Sequence, residues 1–118
     1  MRTEKIMSHL IGKTYKEVLN AISTEEDFGD CCGYANVGVL DNLKDKCNAE
    51  TAVLFDVIKI DYDESDEDRV VVNFIFDLGD ENGLILGYEM SAGSGSGCSY
   101  GAFCTLKYNN EEVASASW

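Results

Sequence analysis

The second half of the chain alternates apolar and polar residues with a period of two, and this pattern restricts the fold more than any other feature. Four such segments follow one another: TAVLFDVIKIDY at 51–62, RVVVNFIFD at 69–77, GLILGYEM at 83–90 and SYGAFCTLKY at 99–108. Segments of this length, rich in β-branched and aromatic residues, are typical of β-strands. The pair Asn82-Gly83 favours a tight hairpin turn, so we expect the strands to be antiparallel.

A helical pattern precedes the strands. In LIGKTYKEVLNAI at 10–22, the apolar residues from Ile11 onward lie on one helical face. Thr14 followed by Glu17 is a capping-box pattern, so the helix is expected to begin near Thr14. The following STEEDFGD is predicted to be an acidic loop.

The first strands are apolar on both faces, so the helix, or else a partner subunit, is expected to cover the second face. The predicted fold class is therefore α+β, with an N-terminal helix packed on a four- to five-stranded antiparallel meander.

The length of 118 residues corresponds to one domain, which we assign to residues 1–113. Residues 114–118, ASASW, resemble a linker running into a streptavidin-binding affinity tag, so we expect a tag remnant there. No apolar run approaches the roughly 20 residues that a transmembrane helix needs. The first residues also lack the apolar core of a signal peptide, which favours a cytoplasmic location.

The chain is strongly acidic, with a formal net charge of −13 from 22 acidic and 9 basic residues. Such a charge repels nucleic acid and anionic membranes and favours basic partners. Proteins that handle nucleic acid are commonly basic, because they contact phosphates through Lys and Arg. A small acidic domain can compete for such surfaces as a nucleic-acid mimic. The alternative is that the charge serves solubility alone.

Two acidic segments are the candidate partner-binding residues. One is expected to connect a strand ending near Tyr62 with a strand starting near Arg69, and the other lies in STEEDFGD. The candidates are Asp61, Asp63, Glu64, Asp66, Glu67 and Asp68 in the first segment, and Glu25, Glu26, Asp27 and Asp30 in the second. The first segment is not an EF-hand loop, because Asp66 stands where Gly is needed and Val72 where the bidentate Glu is needed.

No metal, cofactor or catalytic site is predicted. The five cysteines contain no Cys-x-x-Cys pair, so structural zinc is not expected, and Cys104 is expected to be a buried thiol. His9 is the only imidazole and lies far in sequence from every cysteine. The run AGSGSG at 92–97 precedes a strand rather than a helix, so it lacks the context of a phosphate-binding loop.

Two stretches carry a resemblance to known proteins. LIGKTYKEV at 10–18 and GDCCGYANVGVLDNLKD at 29–45 resemble a family of small phage and bacterial proteins with an Ile-Gly-Lys-Thr opening and an Asp-Cys-Cys motif. Asp30, Cys31 and Cys32 match the motif, whereas Gly33 replaces the Glu that follows it in the family. The resemblance covers about the first third of the chain. It implies a phage-related origin but no chemistry, and small acidic phage proteins often inhibit bacterial defence, as anti-CRISPR proteins do.

We therefore expect a non-enzymatic, phage-encoded inhibitor of a bacterial defence complex. Its acidic loops would bind the basic nucleic-acid-binding surface of a host complex, such as a CRISPR effector, in the host cytoplasm. It would bind neither nucleic acid nor membrane directly. One alternative is a protein that binds or sequesters a nucleotide signal, with a pocket formed by the Gly-rich loop and Tyr88, Tyr100 and Tyr108. Another is an acidic interaction domain that forms a homo-oligomer.

Overall fold

The described residues of the protein form two antiparallel sheets and one short helix. The computed structural model describes residues 2–27, 33–62, 67–80, 82–94 and 102–118. The strands are β1 (Arg2–Lys5), β2 (Ile22–Asp27), β3 (Gly33–Asp41), β4 (Val53–Tyr62), β5 (Glu67–Asp77), β6 (Asn82–Ser94), β7 (Phe103–Tyr108) and β8 (Glu111–Ser117). The helix α1 spans Tyr15–Ala21, and short 3-10 turns lie at Ser8–Leu10 and Ala49–Thr51.

The larger sheet has five strands in the order β1-β4-β5-β6-β3, and the smaller sheet has three in the order β2-β7-β8. All pairings are antiparallel. The predicted antiparallel strands are therefore confirmed. β4 ends at Tyr62 as predicted, whereas β5 begins at Glu67, two residues before the predicted start near Arg69, so Glu67 and Asp68 belong to the strand and not to the connection. The predicted turn at Asn82-Gly83 is wrong, because both residues belong to β6 and Asn82 pairs with Asp77.

The core lies between the two sheets. Along β5, Val70, Val72, Phe74 and Phe76 are buried, while the residues between them are half-buried on the outer face. The smaller sheet contributes Cys104, Leu106, Ala114 and Ala116, all buried. This alternation is the period-two pattern of the sequence, and the buried state expected for Cys104 is confirmed.

The predicted fold class is wrong: a second sheet, not an N-terminal helix, covers the first. β7 was predicted to continue the meander but pairs with β2 and β8 instead. Residues 23–30 were predicted to be a loop because they are acidic and contain a glycine, but residues 22–27 form β2, an edge strand with exposed acidic residues. An edge strand in a small sheet can lack apolar alternation, so its sequence does not distinguish it from a loop.

The helix α1 begins where the sequence predicts. Thr14 is its N-cap, and the Thr14 side chain accepts a hydrogen bond from Glu17 N–H at 3.3 Å. With seven residues, α1 makes about two turns and buries only Tyr15 and Val18. It therefore closes one end of the core rather than covering a sheet.

Residues 114–117 lie in β8, although the sequence analysis placed them outside the domain. Ala114 and Ala116 are 3% and 0% exposed, and they pair with Leu106 and Cys104 of β7. These contacts show where the segment packs but do not test its origin, so the tag remnant stays a prediction.

No helix in the described residues is long and apolar enough to cross a membrane.

Candidate partner-binding surface at the acidic end

Six of the ten candidate carboxylates lie in the described part of the chain. They are Glu25, Glu26 and Asp27 in β2, Asp61 in β4, and Glu67 and Asp68 in β5. The other four, Asp30, Asp63, Glu64 and Asp66, lie outside the described residues.

The fold brings the two acidic segments to the same end of the molecule, although about 40 residues separate them in sequence. Asp27 pairs with Phe103, and Phe103 pairs with Ser117. The N–H of Ser117 donates to a carboxylate oxygen of Asp68 at 2.9 Å. We call the region that carries Asp27, Asp61, Glu67 and Asp68 the acidic end.

In β2, Glu25 and Glu26 have partners within the protein. Glu25 accepts a hydrogen bond from Lys107 Nζ at 2.8 Å on the exposed face of the small sheet. Glu26 accepts one from Val37 N–H at 3.1 Å. This bond links the smaller sheet to the edge strand of the larger one, so Glu26 has a structural role.

In β5, neighbouring carboxylates are held on opposite faces of the sheet. Glu67 accepts a hydrogen bond from the Tyr34 hydroxyl at 2.6 Å. To reach it, the Tyr34 ring crosses Gly93, where an added Cβ would lie 2.5 Å from the Tyr34 hydroxyl oxygen. Asp68 faces the small sheet and binds the backbone of β8. Both residues therefore stabilise this end of the fold in addition to supplying charge.

Asp61 lies in β4, next to the edge strand β1, and its charge is partly neutralised. Arg2 and Lys59 approach its carboxylate to 3.6 and 3.9 Å. On the outer face, the Arg69 guanidinium lies 4.0 Å from the centre of the Tyr62 ring and forms an ion pair with Glu89 at 3.2 Å. The charge of the acidic end is thus unequally distributed, with the exposed carboxylates of β2 at one side and mixed charges at the β1–β4 side.

Phe103 is a surface residue that sequence reasoning missed. It is 38% exposed and lies between Asp27 and Ser117 in the outer row of the small sheet. An exposed aromatic ring beside carboxylates suits a partner that presents Arg, because guanidinium groups bind both. Neighbouring residues of a strand point to opposite faces, so the predicted burial of Cys104 already indicated that Phe103 faces outward.

A partly buried polar cluster lies at the far end of β3. The Tyr15 hydroxyl donates to Asp41 at 2.5 Å, while the other Asp41 oxygen accepts from the N–H groups of Leu43 and Lys44. Burial, followed by the hydrogen bond to Asp41, raises the pKa of Tyr15. Burial, followed by the charge of Asp41, raises the pKa of Tyr88 to about 12. Both tyrosines are therefore neutral at physiological pH, and the cluster anchors α1 to the large sheet.

Of the three tyrosines in the ligand-binding alternative, the two that the structure describes, Tyr88 and Tyr108, have different surroundings. Tyr88 is 5% exposed and packs edge-on against Phe74 in the core. Tyr108 instead lines a cleft of about 220 Å³ with His9 and Glu111, and Tyr100 lies outside the described residues. Within the described residues, no group of three or more His, Cys, Asp or Glu side chains is arranged to hold a metal ion.

Comparison of the chain with family models, curated proteins and solved structures found no match.

Proposed function

We propose that the protein is a non-enzymatic inhibitor whose acidic end occupies the basic nucleic-acid-binding surface of another protein. The observation that supports this most is the convergence of acidic residues from the end of β2 and the start of β5 at one end of the molecule. The net charge of −13 adds long-range attraction to a basic groove.

The exposed ring of Phe103 lies beside Asp27. It offers a partner a close apolar contact in addition to the attraction between charges. Ions screen exposed charges beyond about 8 Å at physiological salt. A specific complex therefore needs contacts such as an arginine seated on Phe103.

The narrower form of the proposal is a phage-encoded inhibitor of a bacterial defence complex, acting in the host cytoplasm. It rests on the resemblance of the first third of the chain and on the charge.

The test combines capture with competition. The immobilised protein is exposed to lysate, and bound proteins are eluted either with a salt gradient or with duplex DNA or RNA. We expect a basic nucleic-acid-binding protein that nucleic acid displaces, with an affinity that falls as salt rises. Bound protein that nucleic acid fails to displace would contradict the mimic.

Matched triple variants locate the surface. Asp63→Lys, Glu64→Lys and Asp66→Lys together change the net charge from −13 to −7, since each substitution adds two units. Asp80→Lys, Glu111→Lys and Glu112→Lys make the same change on exposed residues away from the acidic end. We expect the first variant to lose affinity by at least about tenfold relative to the second. Equal losses would show that only net charge matters.

A further inference from the structure

The exposed segment Gly38–Leu40 of β3 is an unprotected sheet edge. β3 is the outermost strand of the larger sheet. Val39 and Leu40 are 61% and 62% exposed, and they point to opposite faces of the strand. Edge strands are usually protected by charge, proline or a bulge. The sequence of this segment, Gly-Val-Leu, has no charge or proline, and its pairing with β6 has no register shift.

The register with β6 determines which backbone groups of β3 face outward. Asn42 N–H donates to the carbonyl of Ile85, so Asn42 belongs to a hydrogen-bonded pair. Because such pairs alternate along an antiparallel ladder, Leu40 and Gly38 also bond to β6. The N–H and C=O of Val37, Val39 and Asp41 therefore face away from the sheet, and Glu26 already occupies the N–H of Val37. In the described part of the chain, no residue bonds to the backbone of Val39.

A hollow lies on the outer face beside this edge. Its volume is about 230 Å³, and it is lined by Gly38, Val39, Leu40, Val71, Asn73, Gly87 and Glu89. The missing side chain of Gly38 leaves this space open, whereas the space above Gly87 is taken by the Asn73 side chain. An added Cβ on Gly87 would lie 2.7 Å from Asn73 Oδ1, whereas one on Gly38 would meet its nearest atom at 4.0 Å.

We propose that a second copy of this chain docks at the edge, with the two β3 strands antiparallel about a two-fold axis at Val39. The two Val39 residues then exchange N–H···O=C bonds, and Leu40 of each copy lies opposite Gly38 of the other. In this register the Leu40 side chain of one copy packs over the hollow beside Gly38 of the other copy. Leu40 is the most exposed apolar residue of β3. This self-complementarity is what selects a second copy as the occupant.

Charge near the edge is reduced but not removed. Glu89 pairs with Arg69, whereas Glu26 and Asp41 accept hydrogen bonds from Val37 N–H and the Tyr15 hydroxyl and keep their negative charge. The net charge of −13 on each copy leaves a long-range repulsion that salt screens. The dimer should therefore strengthen as salt rises, opposite to the salt dependence of the proposed inhibitor complex, so the two proposals fail separately.

The first measurement is the mass of the full chain by sedimentation equilibrium, from micromolar to millimolar concentration. We expect the mass to rise from 13.0 kDa toward twice that value. Leu40→Lys should raise the dissociation constant at least about tenfold. Phe55→Lys is the matched control, because Phe55 is a 43% exposed apolar residue in β4. Both variants make the net charge less negative, so a loss confined to Leu40→Lys is not electrostatic. A mass that stays at the monomer value overturns the proposal.

Gly38→Val tests the register. The space around Gly38 accepts a Cβ in the monomer, and valine suits a strand, so the variant should fold with no loss of melting temperature. In the proposed dimer it fills the place that Leu40 of the other copy needs, so association should weaken at least about tenfold. A dimer unaffected by Gly38→Val, for example one with Leu40 facing Leu40, overturns this register.

Amide hydrogen exchange supplies a second readout. The Val39 N–H should become protected as concentration rises, while those of Gly38 and Leu40, already bonded to β6, should change little. Protection of Val39 that appears only when a strand of another protein is added would assign the edge to that partner and overturn the second copy.

Discussion

The hydroxyl of Tyr15 connects the helix to the end of β3. It donates to Asp41 at 2.5 Å in a part-buried site. Tyr15→Phe removes this bond to a charged acceptor, so we expect the free energy of unfolding to fall by about 2 kcal/mol. Chemical denaturation measures it. Tyr108→Phe is the control, because Tyr108 is similarly buried at 8% exposure and its hydroxyl has no hydrogen bond among the described side chains. Equal effects would contradict the assigned role.

Alkaline pH should destabilise the fold through Tyr88. Its folded-state pKa is about 12 against an ordinary value of 10.0, because burial and the charge of Asp41 disfavour the phenolate. A raised folded pKa contributes stability that is complete below pH 10 and is lost as the pH rises toward 12. We expect a loss on the order of 2 kcal/mol over this range, measured by denaturation at stepped pH. Burial and Asp41 raise the pKa of Tyr15 as well, so Tyr88→Phe should reduce the decline without abolishing it; an unchanged slope would exclude Tyr88 as one of its causes.

At the scale of elements, β8 is the strand whose contribution most needs a test. Ala116 is 0% exposed and pairs with Cys104, whereas neighbouring Ser115 faces outward. Ala116→Asp buries a carboxylate and should cost more than about 3 kcal/mol. Ser115→Asp should cost less than about 1 kcal/mol. The melting temperatures of the two variants show whether the end of β8 belongs to the core. If both are tolerated, the end of β8 does not belong to the core, as expected of a tag remnant.

The β7–β8 hairpin depends on two residues with left-handed backbone conformation. Asn109 and Asn110 have φ of 51° and 67°, as a two-residue type I′ turn requires. Asn110→Gly should leave the melting temperature unchanged or raise it, whereas Asn110→Val should cost about 1–2 kcal/mol. An equally stable Val variant would mean that the turn changes conformation without cost.

The elements that the sequence predicted are those with strong local signals. Thr14 and Glu17 located the start of α1, and alternation located the strands from β4 to β7. β2 was missed because three of its residues, Glu25, Glu26 and Asp27, are exposed acids. β8 was missed because residues 114–118 resemble a tag remnant and were therefore assigned to a segment outside the domain. The division into two sheets depends on which strands pair across long sequence distances, and periodicity carries no information about that.

The candidate site was predicted in composition but not in geometry. The sequence indicated both acidic segments, and the fold places Asp27 and Asp68 at one end, which no local pattern could show. It also binds Glu26 and Asp68 to backbone N–H groups, which sequence alone does not distinguish from free surface charge. Alternation with Cys104 could place Phe103 on the outer face of β7, but its position between Asp27 and Ser117 depends on the pairing of β7 with β2 and β8.

For the whole molecule, the excess of negative charge should make stability depend on salt. With a net charge of −13, self-repulsion opposes the compact state, and added ions screen it. We expect sodium chloride to raise the free energy of unfolding, on the order of 1 kcal/mol between low and physiological ionic strength. Denaturation at several salt concentrations measures this. The Asp63→Lys, Glu64→Lys and Asp66→Lys variant should show a smaller dependence, and an unchanged one would contradict repulsion at the acidic end.

The placement of Arg2 and Trp118 affects how this protein can be attached to anything else. Arg2 pairs with Asp61, and Trp118 N–H donates to Ala102 C=O beside Phe103. A fusion partner or an immobilisation handle joined at either position would therefore emerge beside the acidic end and obstruct it. The Asn109–Asn110 turn lies at the far end of the small sheet. A handle inserted there, or a circular permutant opened there with Arg2 and Trp118 joined by a linker, would leave the acidic end facing solution.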